Sequence, residues 1–548
     1  MKRTKIIIIG GLSAGPSAAA KARRTNENAE IILFEKTKHI SYATCGIPYA
    51  MSGKIKTRDK LMVVQPELLK KRFGVDLHLN EPVIDIDPNA QLVYTSNGSY
   101  SYDKLVLATG GNAFLPPIKN IQNYQNWAFA KTIEDFDKIM KNGVIDKAQH
   151  ITIVGAGLIG LETAENLVHA GKKVTIVEYA DQVLGNWDKK FAQIALHELT
   201  KNGVEVKLNT TVKEIDTSVQ ELILTNGERF YTDYMLVGIS VKPNTEMLIA
   251  KGAEHLQNGA LIVNERMETS LPNIYAAGDC ASIPNLLTGE SSWYPMGTHS
   301  NKAGRVAGAN AAGGNETFEG AYGTAIMKLF DYTIARTGMG IKELERKQIN
   351  YKSSMIIAGT TPGFYPDPKD LFLEIYFDAD SGVILGAEMI GEKGVDKRVD
   401  VLATAIYAKL TISDLPRLDL AYAPPYSPAK DPVVVAGYVA ENSLKQKYQE
   451  VNVTKAAELI HTNKDLILLD VRNVAELHKN GALDNAVNIP LDELRNRLEE
   501  LDPNKSILVY CAKGLRGYLS SLILAHNGFN NIYNLAGGFT AWKNMTNK

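Results

Sequence analysis

The stretch ITIVGAGLIGLETAENLVHAGKKVTIVE, residues 151–178, decides how the fold is read. ITIV reads as a buried parallel strand, and Gly155-Ala-Gly157-Leu-Ile-Gly160 as a turn that opens a helix. LETAENLVHAG reads as that helix, and VTIV as a second strand ending on Glu178. Glycines let a backbone turn tightly and approach a pyrophosphate. The helix N-terminus then meets phosphates with free N–H groups and a partial positive charge. An acid at the strand end accepts hydrogen bonds from a ribose diol. The same order opens the chain: KIIII (5–9), then Gly10, Gly11 and Gly15, the Ala-rich helix SAAAKARR, and strand IILF (31–34) ending at Glu35. Leu12 stands where the strict motif has glycine. One such turn is a weak signal; two copies, each with its strand, helix and acid, predict two dinucleotide sites.

At about 150 residues per domain, 548 residues predict three or four domains. Sixty Lys and Arg against 61 Asp and Glu give a net charge of −1, which excludes the basic footprint of a nucleic-acid binder. The 45% apolar and 22% charged residues are those of a globular protein with large cores. Three cysteines, Cys45, Cys280 and Cys511, exclude a disulfide scaffold, and they lie too far apart for a short zinc spacing, so no metal site is expected. The isoleucine run in MKRTKIIIIGG is shorter than a signal-peptide core, and no stretch approaches the roughly 20 apolar residues of a membrane span. A soluble cytoplasmic protein that binds no membrane is expected.

Two further segments, LVLATGG (105–111) and NIYAAGDCAS (273–282), are strands running into glycine, and the second sets Asp279 where a carboxylate can meet a flavin's ribityl chain. With these, residues 1–440 resemble the two-dinucleotide flavoprotein disulfide reductases. The resemblance implies FAD on the first glycine turn (Gly10, Gly11, Gly15, Glu35), closed by Thr109 and Gly110 of the ATG string and by Gly278 and Asp279 of the GD string. It implies NAD(P)H on the second turn (Gly155, Gly157, Gly160, Glu178). Glu178 favours a free 2′-hydroxyl, and YADQVLGNWD after it offers no arginine for a 2′-phosphate, so NADH is expected over NADPH. The expected fold is α/β. Two Rossmann-like domains (FAD: 1–115 and 245–324; NAD(P)H: 116–244) are followed by an α+β dimerisation domain (325–440), a polar linker (441–450) and a small α/β domain (451–548). A homodimer follows from the resemblance of the third.

Cys45 lies in SYATCGIPY. In the glutathione-reductase branch two cysteines are spaced CxxxxC, but here position 50 is Ala50 and no other cysteine lies within 200 residues. Cys45 therefore takes its partner from outside: a substrate thiol giving a mixed disulfide, or oxygen giving a sulfenic acid. The string resembles coenzyme A disulfide reductases and their persulfide- and polysulfide-reducing relatives. The peroxidases and oxidases of the branch carry a histidine at the position of Ser13. The resemblance implies coenzyme A contacts by Ser17, Lys21 and Arg24 on one face of the first helix, and by Ser41, Thr44, Asn301 and Lys430. Read alone, that helix face is a solvated basic surface. The resemblance also implies Tyr422, and a tyrosine matched by Phe364 or Tyr365, reaching the partner subunit's active site.

In the last hundred residues, LILLDVR, VNIPL, SILVYCAKGLRG and NLAGGFTAW resemble a rhodanese domain. Cys511 opens a loop that ends at a helix N-terminus, where successive N–H groups converge on one point. Lys513 and Arg516 add positive charge, Asp470, Arg472 and Glu476 match the upstream motif, and NGALDNAVNIP (480–490) departs from it. Cys280 reads as a packing residue. The expected function is FAD-dependent NAD(P)H reduction of coenzyme A disulfide, coenzyme A persulfide or polysulfide through Cys45, coupled to sulfur transfer by Cys511. The alternatives are an NADH oxidase cycling through a sulfenic acid, and a slow persulfide carrier or redox sensor.

Overall fold

The computed structural model describes residues 3–445 and 448–546, which form two compact units. The first takes in the chain up to Asp181 and Gly203–Tyr322; the second takes in Gln182–Asn202 and everything from Gly323.

Two five-stranded parallel sheets organise the first unit. One runs Ile274–Ala276, Lys104–Leu107, Lys5–Ile9, Glu30–Glu35, Asp76–Leu79; the other Glu205–Lys207, Lys173–Val177, His150–Val154, Tyr234–Val237, Trp127–Phe129. Ile6, Ile7 and Ile8 are completely buried, as a strand covered on both faces requires. The repetition extends past the motifs. Each half also carries an antiparallel three-stranded sheet, Val83–Asp87 with Leu92–Thr95 and Gly98–Ser101, and Val212–Asp216 with Glu221–Leu224 and Arg229–Tyr231. Both have a register irregularity near the start of the first strand. Those strands are short and half polar, which hid them in the sequence. Helix Ala14–Thr25 lies backbone to backbone against helix Gly297–Ala311: a β-carbon at Gly304 or Gly308 would sit 2.4 or 2.1 Å from the carbonyls of Ala14 and Ala18.

The second unit holds an antiparallel sheet, in the order Ala325–Leu329, Tyr332–Gly338, Ile384–Gly391, Asp370–Asp378, Tyr351–Gly359, with helices Val395–Tyr407 and Pro432–Lys445. It also holds a parallel sheet, in the order Gln449–Val451, Ile532–Leu535, Ile507–Tyr510, Ile467–Asp470, Val487–Asn488. The expected linker 441–450 is largely regular structure. Its first half continues helix Pro432–Lys445, Gln449 and Glu450 pair in the parallel sheet, and Gln446 and Lys447 lie outside the described residues.

The segment 182–202, expected within the second dinucleotide domain, belongs instead to the second unit. Its helix Lys189–Lys201 explains why. Lys190 Nζ is buried 2.5 Å from Asp188 and 2.7 Å from Glu374 of the antiparallel sheet. Beside them, Glu388 Oε2 accepts from the Asp188 N–H at 3.0 Å, while Glu388 Oε1 is buried with no hydrogen-bond partner. Burial pushes the Glu388 carboxyl up to about 7.

A carboxyl whose folded value is raised holds a proton in the folded chain that the unfolded chain has already released. Its stabilisation is complete below the unfolded value of 4.5 and is lost as pH rises through about 7. Glu388→Gln, which keeps the acceptor for Asp188, is expected to shrink the stability difference between about pH 5 and about pH 8 by about 2–3 kcal/mol in urea unfolding. An unchanged pH dependence contradicts this account of Glu388.

Candidate active site

Both glycine turns close on the same steric constraint. A β-carbon at Gly15 would stand 1.8 Å from the Gly10 carbonyl oxygen, and one at Gly160 would stand 2.0 Å from that of Gly155. Gly10 and Gly155 share φ +109°, and a side chain there would strike Ala108 O at 2.2 Å or Gly238 O at 2.9 Å. The backbone is thus left bare where strand meets helix, the condition for a pyrophosphate to approach. Glu35 accepts from the N–H groups of Gly11 (2.8 Å) and Thr37 (2.9 Å); Glu178 accepts from Ala156 (2.7 Å) and Ala180 (2.8 Å). The two acids are oriented alike, with remaining lone pairs for a diol. The residues at both turns fit a dinucleotide.

Asp279 is half-buried at the end of strand Ile274–Ala276, where Ser300 Oγ donates to it at 3.3 Å. Burial raises its carboxyl and nearby Lys131 partly offsets this; burial also depresses Lys131. Lys131 donates to the Gly111 carbonyl. It carried no signal in the sequence, since a lone lysine in a loop has no pattern. The Thr109 hydroxyl is committed to the Asn244 carbonyl at 2.5 Å, so this side chain ties the turn to the returning chain. Cys280 is fully buried, its thiol directed at the carbonyls of Leu107 and Ala277 and pushed up to about 11 by burial, which makes it a packing residue.

Cys45 is exposed in the short 3₁₀ turn Thr44–Gly46. Four residues earlier the chain is anchored to the first glycine turn: Ser41, buried at φ +46°, donates its N–H to the Gly11 carbonyl at 2.8 Å, and its carbonyl accepts from Val63 at 2.7 Å. Beyond Cys45, helix Ile47–Met51 meets helix Leu158–His169, which the second glycine turn opens. Tyr49 donates to Glu162 at 3.2 Å and Ser52 donates to Asn166 at 2.7 Å. Burial, then the Glu162 carboxylate, keeps the Tyr49 phenol protonated, and burial raises Glu162. The thiol-bearing segment is therefore fastened to both turns. Tyr49 and Glu162 went unnoticed in the sequence, although Tyr49 sits one helical turn past Cys45.

Of the expected coenzyme A residues, Ser17 and Asn301 meet directly, Oγ donating to Oδ1 at 2.8 Å. Lys21 is not a free cation on the basic face, because it pairs with Glu316; Arg24 is exposed. In the second unit Tyr422, Lys430 and Phe364 are exposed and Tyr365 is half-buried.

Cys511 is buried at the head of its loop and accepts from the Gly514 N–H at 3.1 Å. A β-carbon at Gly538 would lie 2.3 Å from the Cys511 carbonyl, which instead accepts from Phe539 at 2.7 Å. Lys513 and Arg516 do not add net charge. Lys513 lies 2.6 Å from Asp370, and Arg516 is gripped by both oxygens of Glu476 at 2.6 and 2.7 Å, which lowers the Glu476 carboxyl. The atypical 480–490 segment is supported: Arg472, paired with Asp470 at 2.6 Å, donates to Gly481 O at 2.8 Å, and Leu483 N–H donates to Tyr510 at 3.2 Å. Among the described residues no cluster of three or more side chains could hold a metal ion, and no helix is long and apolar enough to cross a membrane.

Residues 4–300 match the pyridine nucleotide-disulphide oxidoreductase family, 324–433 its dimerisation domain, and 452–545 the rhodanese-like domain. The NAD(P)H coenzyme A polysulfide/persulfide reductase of Pyrococcus horikoshii is 34% identical over 441 residues, 80% of this chain and 98% of that one. The structure of reduced CoADR-RHD from Bacillus anthracis superposes with TM-score 0.95 at 35% identity, covering 100% of this chain and 98% of that one. An NAD-dependent persulfide reductase from A. fulgidus gives 0.91 at 34%, covering 98% and 100%. With two glycine turns, a thiol fastened to both and matches over nearly its whole length, the chain belongs to the pyridine nucleotide-disulphide oxidoreductase family.

Proposed function

We propose that this chain is an FAD-dependent NAD(P)H oxidoreductase that reduces coenzyme A disulfide, coenzyme A persulfide or polysulfide through Cys45, and that Cys511 exchanges sulfane sulfur with the same thiol pool. The observation that carries this reading is the isolation of Cys45: an exposed thiol fastened between two dinucleotide turns, with Ala50 where a resolving cysteine would stand.

Gly10, Gly11, Gly15, Glu35, Thr109, Gly110, Gly278 and Asp279 would hold FAD; Gly155, Gly157, Gly160 and Glu178 would hold the nicotinamide coenzyme. When bound, the flavin supplies a two-electron path between the nicotinamide and the sulfur of Cys45. The chain's own chemistry is thiol–disulfide exchange: the Cys45 thiolate attacks an S–S bond of coenzyme A disulfide, forms a Cys45–S–S–CoA mixed disulfide and expels one coenzyme A thiolate. Ser17, Asn301, Ser41, Thr44, Lys21 and Arg24 are proposed to position the coenzyme A. Over a cycle, NADH, a proton and coenzyme A disulfide give NAD⁺ and two coenzyme A thiols. With the persulfide, the products are NAD⁺, one coenzyme A thiol and hydrogen sulfide.

A homodimer is supported by the dimerisation-domain match. In it Tyr422, Tyr365 and Lys430 are proposed to serve Cys45 of the partner subunit, with Tyr422 protonating the leaving thiolate. A cytoplasmic location, where thiols stay reduced, suits three free cysteines. The domain division proposed is the expected one, with 182–202 attached to the second unit.

Cys45→Ser is expected to lower NADH-dependent coenzyme A disulfide reduction by about a thousandfold or more. Cys511→Ser is expected to leave that reaction intact while abolishing sulfur transfer. Thiol production should be two coenzyme A thiols per NADH; oxygen uptake matching NADH consumption would overturn the assignment in favour of an oxidase.

NADH is the proposed coenzyme, because the Glu178 carboxylate is locked by two backbone N–H groups where a 2′-phosphate would arrive. The expected ratio of kcat/KM values for NADH over NADPH is about ten or more. A ratio below one contradicts the role given to Glu178.

A further inference from the structure

The loop that carries Cys511 ends on two cations, and the carboxylates that meet them come from different places. Glu476, which grips Arg516, belongs to a helix of the rhodanese domain itself, Val474–Asn480. Asp370, which meets Lys513 at 2.6 Å, opens strand Asp370–Asp378 of the antiparallel sheet. The adjacent Lys369 is held by Asp367 at 3.1 Å and Glu392 at 2.9 Å, while Lys430 is exposed on the same wall. Lys513 and Asp370 stand on the wall of an open cleft of about 740 Å³, together with Lys430, Glu392, Tyr332 and Thr540. Their side chains are 47% and 34% exposed, so the pair contributes little to stability; what it sets is the local charge on the loop two residues beyond Cys511.

That charge matters unequally for different sulfur donors. An organic persulfide reacts in its protonated form as Cys511–S⁻ + R–S–SH → Cys511–S–S⁻ + R–SH, with one negative charge present throughout. Thiosulfate reacts as Cys511–S⁻ + S₂O₃²⁻ → Cys511–S–S⁻ + SO₃²⁻, which brings three negative charges together. The second encounter needs an uncompensated cation; the first does not.

We propose that Asp370 is a specificity-determining residue for the sulfur donor of Cys511: by neutralising Lys513 from another sheet, it favours organic persulfides and disfavours dianionic donors such as thiosulfate. This rests on the reading of Cys511 as a sulfur acceptor.

The test uses the full-length holoenzyme, with cyanide as final acceptor and two donors, thiosulfate and the persulfide of N-acetylcysteamine, whose carbon side is uncharged. Asp370→Asn is expected to raise the thiosulfate-to-persulfide ratio of kcat/KM about fivefold, and about 0.5 M KCl is expected to erase most of that gain. Lys513→Ala, which breaks the same ion pair but removes the cation, is expected to lower the ratio. The double variant is expected to return it to the wild-type value. An unchanged ratio in Asp370→Asn overturns the proposal, as does a gain in Lys513→Ala, which would trace the effect to a loosened loop. Absence of transfer from either donor in the wild-type protein removes the sulfur-acceptor reading itself; transfer from both with an unmoved ratio removes only the role of Asp370.

Discussion

At residues 15 and 160 the helix approaches the preceding strand so closely that any β-carbon would overlap a carbonyl oxygen, at 1.8 and 2.0 Å. That contact is why each strand can turn directly into a helix with its N–H groups uncovered. The rest of the first unit is arranged around the two bare turns. Glu35 and Glu178 are oriented by the N–H groups next to those turns, Ser41 is hydrogen-bonded to Gly11, and the Cys45 segment is tied through Tyr49 and Ser52 to the helix that the second turn opens. The Cys45 thiol is thereby held on a segment tied to both turns.

The second unit holds another thiol in a closely fitted loop. Cys511 is enclosed by a loop whose backbone donates to the thiol and whose charged residues are all matched by carboxylates. Buried Asp470 and Arg472 brace the loop from behind, with Arg472 lying 4.3 Å over the Phe539 ring. A buried pair of this kind is costly to break, which explains how the 480–490 segment keeps its place without the usual sequence there.

The two dinucleotide folds and the rhodanese unit were legible because their chemistry needs particular residues at fixed spacing. Glycine at 10, 15, 155 and 160 answers a steric demand that no other residue meets, and such demands show in one sequence. What escaped notice is set by tertiary contact. Lys21 and Lys513 read as free cations until Glu316 and Asp370 arrive from distant parts of the chain. The duplicated antiparallel sheets are too short and polar for periodicity to reveal. Helix Lys189–Lys201 reads as part of the second dinucleotide fold, and the contacts of Lys190 with Glu374 and of Asp188 with Glu388 place it elsewhere. Chain order says nothing about such a contact.

The central claim is that Cys45 finds its sulfur partner outside its own polypeptide. The most direct measurement is peptide mass spectrometry after the reduced protein is freed of reductant and exposed to coenzyme A disulfide. The account predicts one coenzyme A in disulfide linkage on the peptide containing SYATCGIPY. An unmodified Cys45, or coenzyme A carried on Cys280 or Cys511 in its place, would contradict it.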